Sequence, residues 1–287
     1  MFATRHGGRA VAGFHPIVHR RLLIRPGGIG DCILCMPVMQ QLASPETEVW
    51  APTAVLPLFT WASRCRGISS TGIELLGVGD TIPPAHLVAT LQNFDSIFSW
   101  YGENRPEFRE AALRIHPQWR FLPALPPRDE QMHATDFFAR TAQAGLGLTP
   151  HIPVPQTETR PSIVIHPFSG GKRKNWDLSR FQELARQLPL AVEWLAGPEE
   201  ALDGAYRCDD LLELAAWIRG ARLYIGNDSG ISHLAAATDV PALLLFGATD
   251  ARIWAPRNRN VRVIQRKSME EIAIADVLTT ARQMLAV

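Results

Sequence analysis

The sequence predicts an α/β protein of two doubly wound, Rossmann-like halves that face each other across a central cleft. Three observations predict it. Short apolar runs recur along the chain, each ending in a turn signal and followed by a helical pattern, which is how a parallel sheet with crossover helices reads. Each half opens on the same order of strand, glycine-bearing turn and helix. The 287 residues are long for one core and comfortable for two, and residues 145–162, "GLGLTPHIPVPQTETRPS", are rich in Pro, Gly and Thr without periodicity, as an interdomain linker is. The boundary is set between residues 155 and 156, giving domains 1–155 and 156–287.

In the first half the expected strands are "RLLIR" (21–25), "TEVWA" (47–51), "GIELL" (72–76) and "SIFSW" (96–100). In the second they are "SIVIH" (162–166), "AVEWLA" (191–196), "RLYIGN" (222–227) and "ALLLFG" (242–247). Between them, "DLSRFQELARQL" carries Leu178, Phe181, Leu184, Ala185 and Leu188 at helical spacing, with Asp177 and Ser179 as start signals. "DDLLELAAWIRG" ends on Gly220, a residue suited to a C-cap.

Composition narrows the function classes. With 29 Lys and Arg against 28 Asp and Glu the formal net charge is +1, so no global basic field gathers nucleic acid and any anion site must be local. The 22 prolines and 21 glycines suit many strand-to-helix turns and fall short of a disordered composition. Residues 1–20 are basic and His-bearing but lack an apolar run of signal-peptide type, and no stretch reaches membrane-span length, so the expected location is the cytosol. The four cysteines, Cys32, Cys35, Cys65 and Cys208, are too few and scattered for a disulfide scaffold. Cys32 and Cys35 have redox or half-zinc spacing, but no matching pair exists and their neighbours are apolar, so buried helix packing is expected.

Three segments carry candidate chemistry. "RPGGIGD" follows the first strand and brings Gly27, Gly28 and Gly30 to a turn where the backbone can approach a ligand closely. Its spacing is not the GxGxxG of dinucleotide sites. Asp31 stands where the next helix should start and reads equally as a plain N-cap, while Pro37 is expected to interrupt or kink that helix early. "HPFSGGKRKNW" follows the strand at 162–166 and crowds Lys172, Arg173 and Lys174 beside the turn Ser169-Gly170-Gly171, where an anion belongs, although a solvated charge run is the bland alternative. "NDSGISHLAAA" begins a helix whose free amides at Ser229 and Gly230 suit a pyrophosphate, with His233 one turn on as a further donor or as an ordinary structural histidine, and Asp228 as a ligand or only the cap.

In their order, "GGIGD", "KRKNW" and "NDSGISHLAAA…LFGATD…W.P" resemble glycosyltransferase family 9, the ADP-heptose:lipopolysaccharide heptosyltransferases and their relatives, from about residue 21 to 257. The resemblance implies the GT-B fold, an acceptor-side domain 1–155 and a nucleotide-sugar-binding domain 156–287. It implies an inverting, metal-independent transfer of a sugar, heptose as in the named family, from a nucleoside diphosphate, ADP in that family, to a lipopolysaccharide-core or other surface glycan. Asp31 matches the family's catalytic base and Lys174 the cation on the donor phosphates. Asp228 matches the aspartate that holds the donor sugar, and Ser229, Gly230 and His233 match the turn and helix start that receive the pyrophosphate. Ser169, Lys172 and Glu200, or Glu199 in its place, complete the expected donor contacts.

No resident cofactor and no nucleic acid are implied, and contact with the inner membrane face is at most peripheral. The chain departs from the pattern after "GPEE", where a helical segment is missing before "DDLLELAAWI", and at Phe168, where the family often has a small residue. A non-catalytic nucleotide-sugar-binding protein is the alternative. Trp100 and Tyr101 are candidate sugar-stacking rings, with core packing their expected fate.

Overall fold

The computed structural model describes residues 19–79, 81–155 and 158–286. The expectation for the N-terminal stretch falls almost wholly outside the described residues, and the boundary at 155/156 abuts residues 156 and 157, which are also outside them.

The first half is a five-stranded parallel sheet of β1 (Arg20–Ile24), β2 (Glu46–Ala51), β3 (Arg64–Gly67), β4 (Ser96–Ser99) and β5 (Trp119–Phe121), in the order β3-β2-β1-β4-β5. Its helices are α1 (Ile29–Leu42), α2 (Ala85–Gln92), α3 (Pro106–Ile115) and α4 (Ala134–Ala142). The second half is a parallel sheet of β6 (Ser162–His166), β7 (Ala191–Trp194), β8 (Leu223–Asn227), β9 (Ala242–Phe246) and β10 (Val261–Gln265), in the order β10-β9-β8-β6-β7. Its helices are α5 (Leu178–Gln187), α6 (Leu211–Arg219), α7 (Gly230–Ala237), the single turn α8 (Ala251–Trp254) and α9 (Ile274–Leu285). The strand order reverses between β1 and β4 in one sheet and between β6 and β8 in the other, and ligand crevices in such sheets form at these reversals, beyond the carboxyl ends of the strands. The two halves form the expected GT-B arrangement.

Two expected elements differ. "GIELL" is not a strand: Ile73–Leu75 is one 3-10 turn, entered through Gly72 in the left-handed region at φ +76°. Ile73 and Leu76 are both buried, a spacing of three that fits a 3-10 turn and not the alternation of a strand. The third strand is "RCRG" instead, an edge strand too polar to announce itself. Pro37 does not interrupt α1, which continues for five residues past it. Residues Cys32 to Met39 are buried without a break, so packing on both sides holds the helix through the missing hydrogen bond. Cys32 and Cys35 are fully buried in the apolar cluster, the helix packing expected of them, and burial pushes their thiols up to about 12.

Below the cleft the halves are joined. One apolar cluster runs from Leu34 and Val38 of α1 through Phe138 of α4 to Leu234 and Ala237 of α7 and Ile218 of α6. The expected linker is tied to the second half: the Ile152 amide donates to the Ala237 carbonyl (2.8 Å) and Asn258 Nδ2 to Pro150 O (2.8 Å). Arg257 reinforces the joint through an ion pair with Asp136 of α4 at 2.5 Å.

At the top of this interface the first turns of α1 and α7 touch. A Cβ placed on Gly230 would lie 2.7 Å from Ile29 Cβ and 3.2 Å from the Gly30 nitrogen, and one on Gly30 would lie 2.9 Å from the His233 ring. Gly230→Ala should therefore cost about 1–3 kcal/mol by overpacking, measured by urea unfolding. Gly170→Ala, with open space around it, is the control and should cost less. Equal stability of the two variants would show that the helices yield.

Candidate functional site

A cavity of about 710 Å³ opens between the halves at the carboxyl edges of both sheets. Its first wall is the turn after β1 and the start of α1, and its second is built from the turns after β6 and β8 with the start of α7. Asp31, Ser169, Lys174, Asp228, Ser229, Gly230 and His233 all line it, as do Gly28 and Gly30.

On the first wall the helix begins two residues earlier than Asp31, which sits in the first turn and is not the N-cap. Its Oδ2 accepts the Gly28 amide at 2.8 Å, so it satisfies a donor of the helix end from inside the helix. Gly27 at φ +112° makes the turn that allows this; a Cβ there would stand 2.8 Å from Asp31 Oδ2. Beneath lies Arg25, 1% exposed. Its Nε and Nη2 donate to the Asp31 carbonyl (3.3 and 3.0 Å), its Nη1 donates to the Ala124 carbonyl (3.1 Å), and the guanidinium lies 4.9 Å from the Phe138 ring centroid. No carboxylate neutralises it among the described residues. A buried cation satisfied by carbonyls and a ring locks the turn that presents Asp31.

On the second wall Lys174 Nζ pairs with Asp228 Oδ2 at 2.8 Å, the carboxylate being buried and the lysine half-buried. Ser169 Oγ donates to the Asp228 carbonyl at 2.8 Å, which binds the β6 turn to the β8 turn. Asn227, fully buried, does the same from below: its Oδ1 accepts the Trp176 amide (3.1 Å) and its Nδ2 donates to the Pro167 carbonyl (2.7 Å). Trp176 is anchored in the core, its Nε1 donating to the Ile272 carbonyl at 3.1 Å. Ser229 caps α7, its Oγ accepting the Ser232 amide at 3.2 Å. The Ser229 and Gly230 amides, both in the cavity lining, have no hydrogen-bond acceptor among the described residues and stay available to an anion.

Burial pushes His233 down to about 4, against the pull of the Asp228 and Asp31 carboxylates, so at neutral pH it is an uncharged donor or acceptor. Its Nδ1 is buried without a partner among the described residues.

The remaining expected contacts lie apart. Lys172 and Arg173 are exposed and outside the cavity lining; the 3-10 turn Lys172–Lys174 directs only Lys174 inward. Glu200 is turned into its own loop, accepting from the Gly197 amide (2.6 Å) and pairing with His166 Nε2 (3.1 Å). Burial alone would raise the Glu200 carboxyl, but these hydrogen bonds and the Arg207 charge hold it below the usual carboxylate range. Sequence reasoning passed over Arg25 and Asn227. Both left a signal: each is a polar residue at the carboxyl end of a buried strand, directly before a ligand-facing turn. Trp100 is core, as expected, whereas Tyr101 is only half-buried. No group of three or more His, Cys, Asp and Glu able to hold a metal ion occurs among the described residues.

Comparison with known proteins adds a family likeness. Residues 209–279 match the model of glycosyltransferase family 9 (heptosyltransferase). The matched segment includes the third motif and its helix α7. A lipopolysaccharide heptosyltransferase 3 of Escherichia coli is 49% identical over 49 residues, 17% of this chain and 14% of that protein's length. Among solved structures, E. coli ADP-heptose lipopolysaccharide heptosyltransferase II superposes with a TM-score of 0.69 at 19% identity, over 93% of this chain and 98% of that one. A family 9 glycosyl transferase of Veillonella parvula does so with 0.66 at 17%, over 93% and 97%. An E. coli heptosyltransferase solved with ADP gives 0.64 at 15%, over 92% and 99%. The likeness to family 9 thus holds in sequence over residues 209–279, and the fold matches these structures over nearly the whole chain.

The histidine supplies a test of the site's burial. An unfolded histidine takes up a proton near pH 6.5, the folded one only near 4, so stability falls as pH drops through that window, by up to about 1.4 kcal/mol per unit from this group. Urea titrations from pH 7 to 4.5 should show a shallower fall for His233→Gln; His133, whose burial also holds it low, leaves a residual slope. Identical slopes in variant and wild type would mean that His233 is not buried neutral.

Proposed function

We propose that the chain is a glycosyltransferase that moves a sugar from a nucleoside diphosphate to an acceptor hydroxyl with inversion at the anomeric carbon. One observation carries the reading: a carboxylate on one domain, Asp31, and a phosphate-gripping wall on the other, Lys174 with the α7 amides, line the same cavity. An acceptor oxygen attacks the anomeric carbon, its bond to that carbon forms as the bond to the diphosphate breaks, and its proton passes to Asp31. The leaving diphosphate is stabilised by the Ser229 and Gly230 amides and by Lys174, whose ammonium has three donors and spends one on Asp228. Asp228 holds the lysine in place and offers its carboxylate to the donor sugar.

The family likeness and the fold favour an ADP-linked heptose as donor and a lipopolysaccharide-core or other surface glycan as acceptor. The E. coli neighbour with ADP supports the nucleotide by analogy of fold. In this reading residues 1–155 form the acceptor side and 156–287 the donor side. Among the described residues no helix is long and apolar enough to cross a membrane, and we place the reaction in the cytoplasm with at most peripheral contact with the inner membrane.

Asp31→Asn should lower turnover by about 10²- to 10⁴-fold while leaving the donor dissociation constant unchanged in calorimetry. Unchanged turnover refutes the base. Lys174→Ala should weaken donor binding by roughly 10- to 150-fold, the equivalent of a charge-assisted contact of about 1.5–3 kcal/mol. Unaltered affinity takes the lysine out of the site.

A further inference from the structure

His133 is the N-cap of α4, and it does more than cap. Capping alone calls for a short side chain such as Ser, Thr, Asp or Asn. The histidine ring carries a second nitrogen beyond the capping one, and that nitrogen crosses to the other domain. Nδ1 accepts the Thr135 amide at 3.2 Å, while Nε2 lies 2.8 Å from the carbonyl oxygen of Ala255, the residue that ends α8. An amide N–H only donates and a carbonyl only accepts, so this ring is neutral and carries its proton on Nε2. Its burial agrees: desolvation, with the Arg257 charge, holds His133 below the usual histidine range against the Ala255 bond and the Asp136 carboxylate.

Both ends of this bridge belong to the cleft. Ala255 adjoins Trp254, which lines the cavity together with Thr249 of the same segment. On the other side Thr135 Oγ1 donates to the Leu34 carbonyl at 3.1 Å, and Leu34 of α1 lines the cavity one turn after Asp31. Further along α4, the Phe138 ring lies under the Arg25 guanidinium that holds the Asp31 carbonyl. The start of α4 therefore grips the helix that presents the carboxylate and, through one nitrogen of His133, the segment that carries Trp254. Asp136 and Arg257 tie the same two segments outside the cavity. We propose that His133 is a positioning residue: its Nε2 holds the Thr249–Trp254 segment against α4 and so sets its separation from α1 across the cleft. The consequence for turnover rests on the transfer reading, whereas the placement of the segment is measurable without it. Lys174 and the Ser229 and Gly230 amides lie on other segments, so the grip on a diphosphate does not depend on the bridge.

Two substitutions separate the cap from the bridge. Asn places an acceptor where Nδ1 stands and reaches no further, so His133→Asn keeps the cap and loses the bond to Ala255. Gln reaches as far as Nε2, so His133→Gln keeps that bond and loses the cap. The full chain labelled with fluorotryptophan is read by fluorine NMR, the Trp254 resonance being assigned through Trp254→Phe. In His133→Asn that resonance should move, while that of Trp176, anchored in the core of the second domain, stays. In His133→Gln both should stay, although urea unfolding shows a loss of stability. The kcat of transfer should fall by about 10- to 100-fold in His133→Asn, as a displacement of about 1 Å produces, and by less in His133→Gln. The ADP dissociation constant, by calorimetry, should be unchanged in both. A Trp254 resonance at its wild-type place in His133→Asn, a shift as large in His133→Gln, or an unchanged kcat in His133→Asn would each overturn the proposal. Failure of the transfer reading shows separately, as unchanged turnover in Asp31→Asn with the fluorine shifts as expected.

Discussion

The structure depends on the approach of two helix ends. Gly30 of α1 and Gly230 of α7 meet without side chains between them, so the first turns of the two helices come closer than any Cβ permits. Each sheet separately aims its crevice at the interface, through the reversals of strand order at β1/β4 and β6/β8. Only the glycine contact sets both crevices at one depth and makes them a single cavity. The continuous apolar cluster beneath fixes the contact further, since separating α1 from α7 would expose surface from both domains to water. Glycines that read as a place for a ligand's phosphates thus serve first to bring protein to protein.

The electrostatics follow from that geometry. Two carboxylates, Asp31 and Asp228, and one lysine line the cleft, and His233 adds no charge at neutral pH because burial keeps it unprotonated. Side-chain charge in the cavity is therefore not positive. An anionic ligand depends on backbone amides at the start of α7, oriented by the Ser229 cap and by the Asn227 brace between the loops. On the other wall a cation is present but hidden: Arg25 spends its guanidinium on carbonyls behind Asp31 and fixes that residue's backbone. Within the Lys174–Asp228 pair the carboxylate is buried and the lysine half-exposed.

Much of this was legible in the sequence because it lay in continuous buried strands. β6, β8 and β9 are buried throughout and mostly apolar, with polar residues such as His166 and Asn227 only near their ends, and the expected segments overlap them. The Asp177 cap of α5 was equally readable, its side chain accepting the Ser179 amide as a cap should. What failed were elements whose stability is tertiary. β3 is four polar-flanked residues on an edge, and β5 is three. α1 survives Pro37 only because it is sandwiched between the domains, which no local rule registers. In the site, the turn-borne Asp31, Lys174 and Asp228 were legible from motif order, whereas Lys172 was not separable from Lys174 by composition. Two lysines two residues apart on a tight turn face different ways, and only the turn's geometry says which.

The short segment between β7 and α6 is the last consequence of packing overruling pattern. There the chain closes into a compact turn: Arg207 donates to the carbonyls of Gly197, Glu200 and Leu202, and Tyr206 pairs alongside Leu195 at the edge of the sheet. Tyr206 then stacks on Trp217 at 4.0 Å, with the Arg160 guanidinium over the same indole. A short loop must satisfy its own carbonyls within a few residues, and Glu200 is drawn inward to serve the Gly197 amide and His166. That leaves Glu199 as the exposed carboxylate of the turn. The length of the loop thus sets which glutamate closes the turn and which stays in solvent.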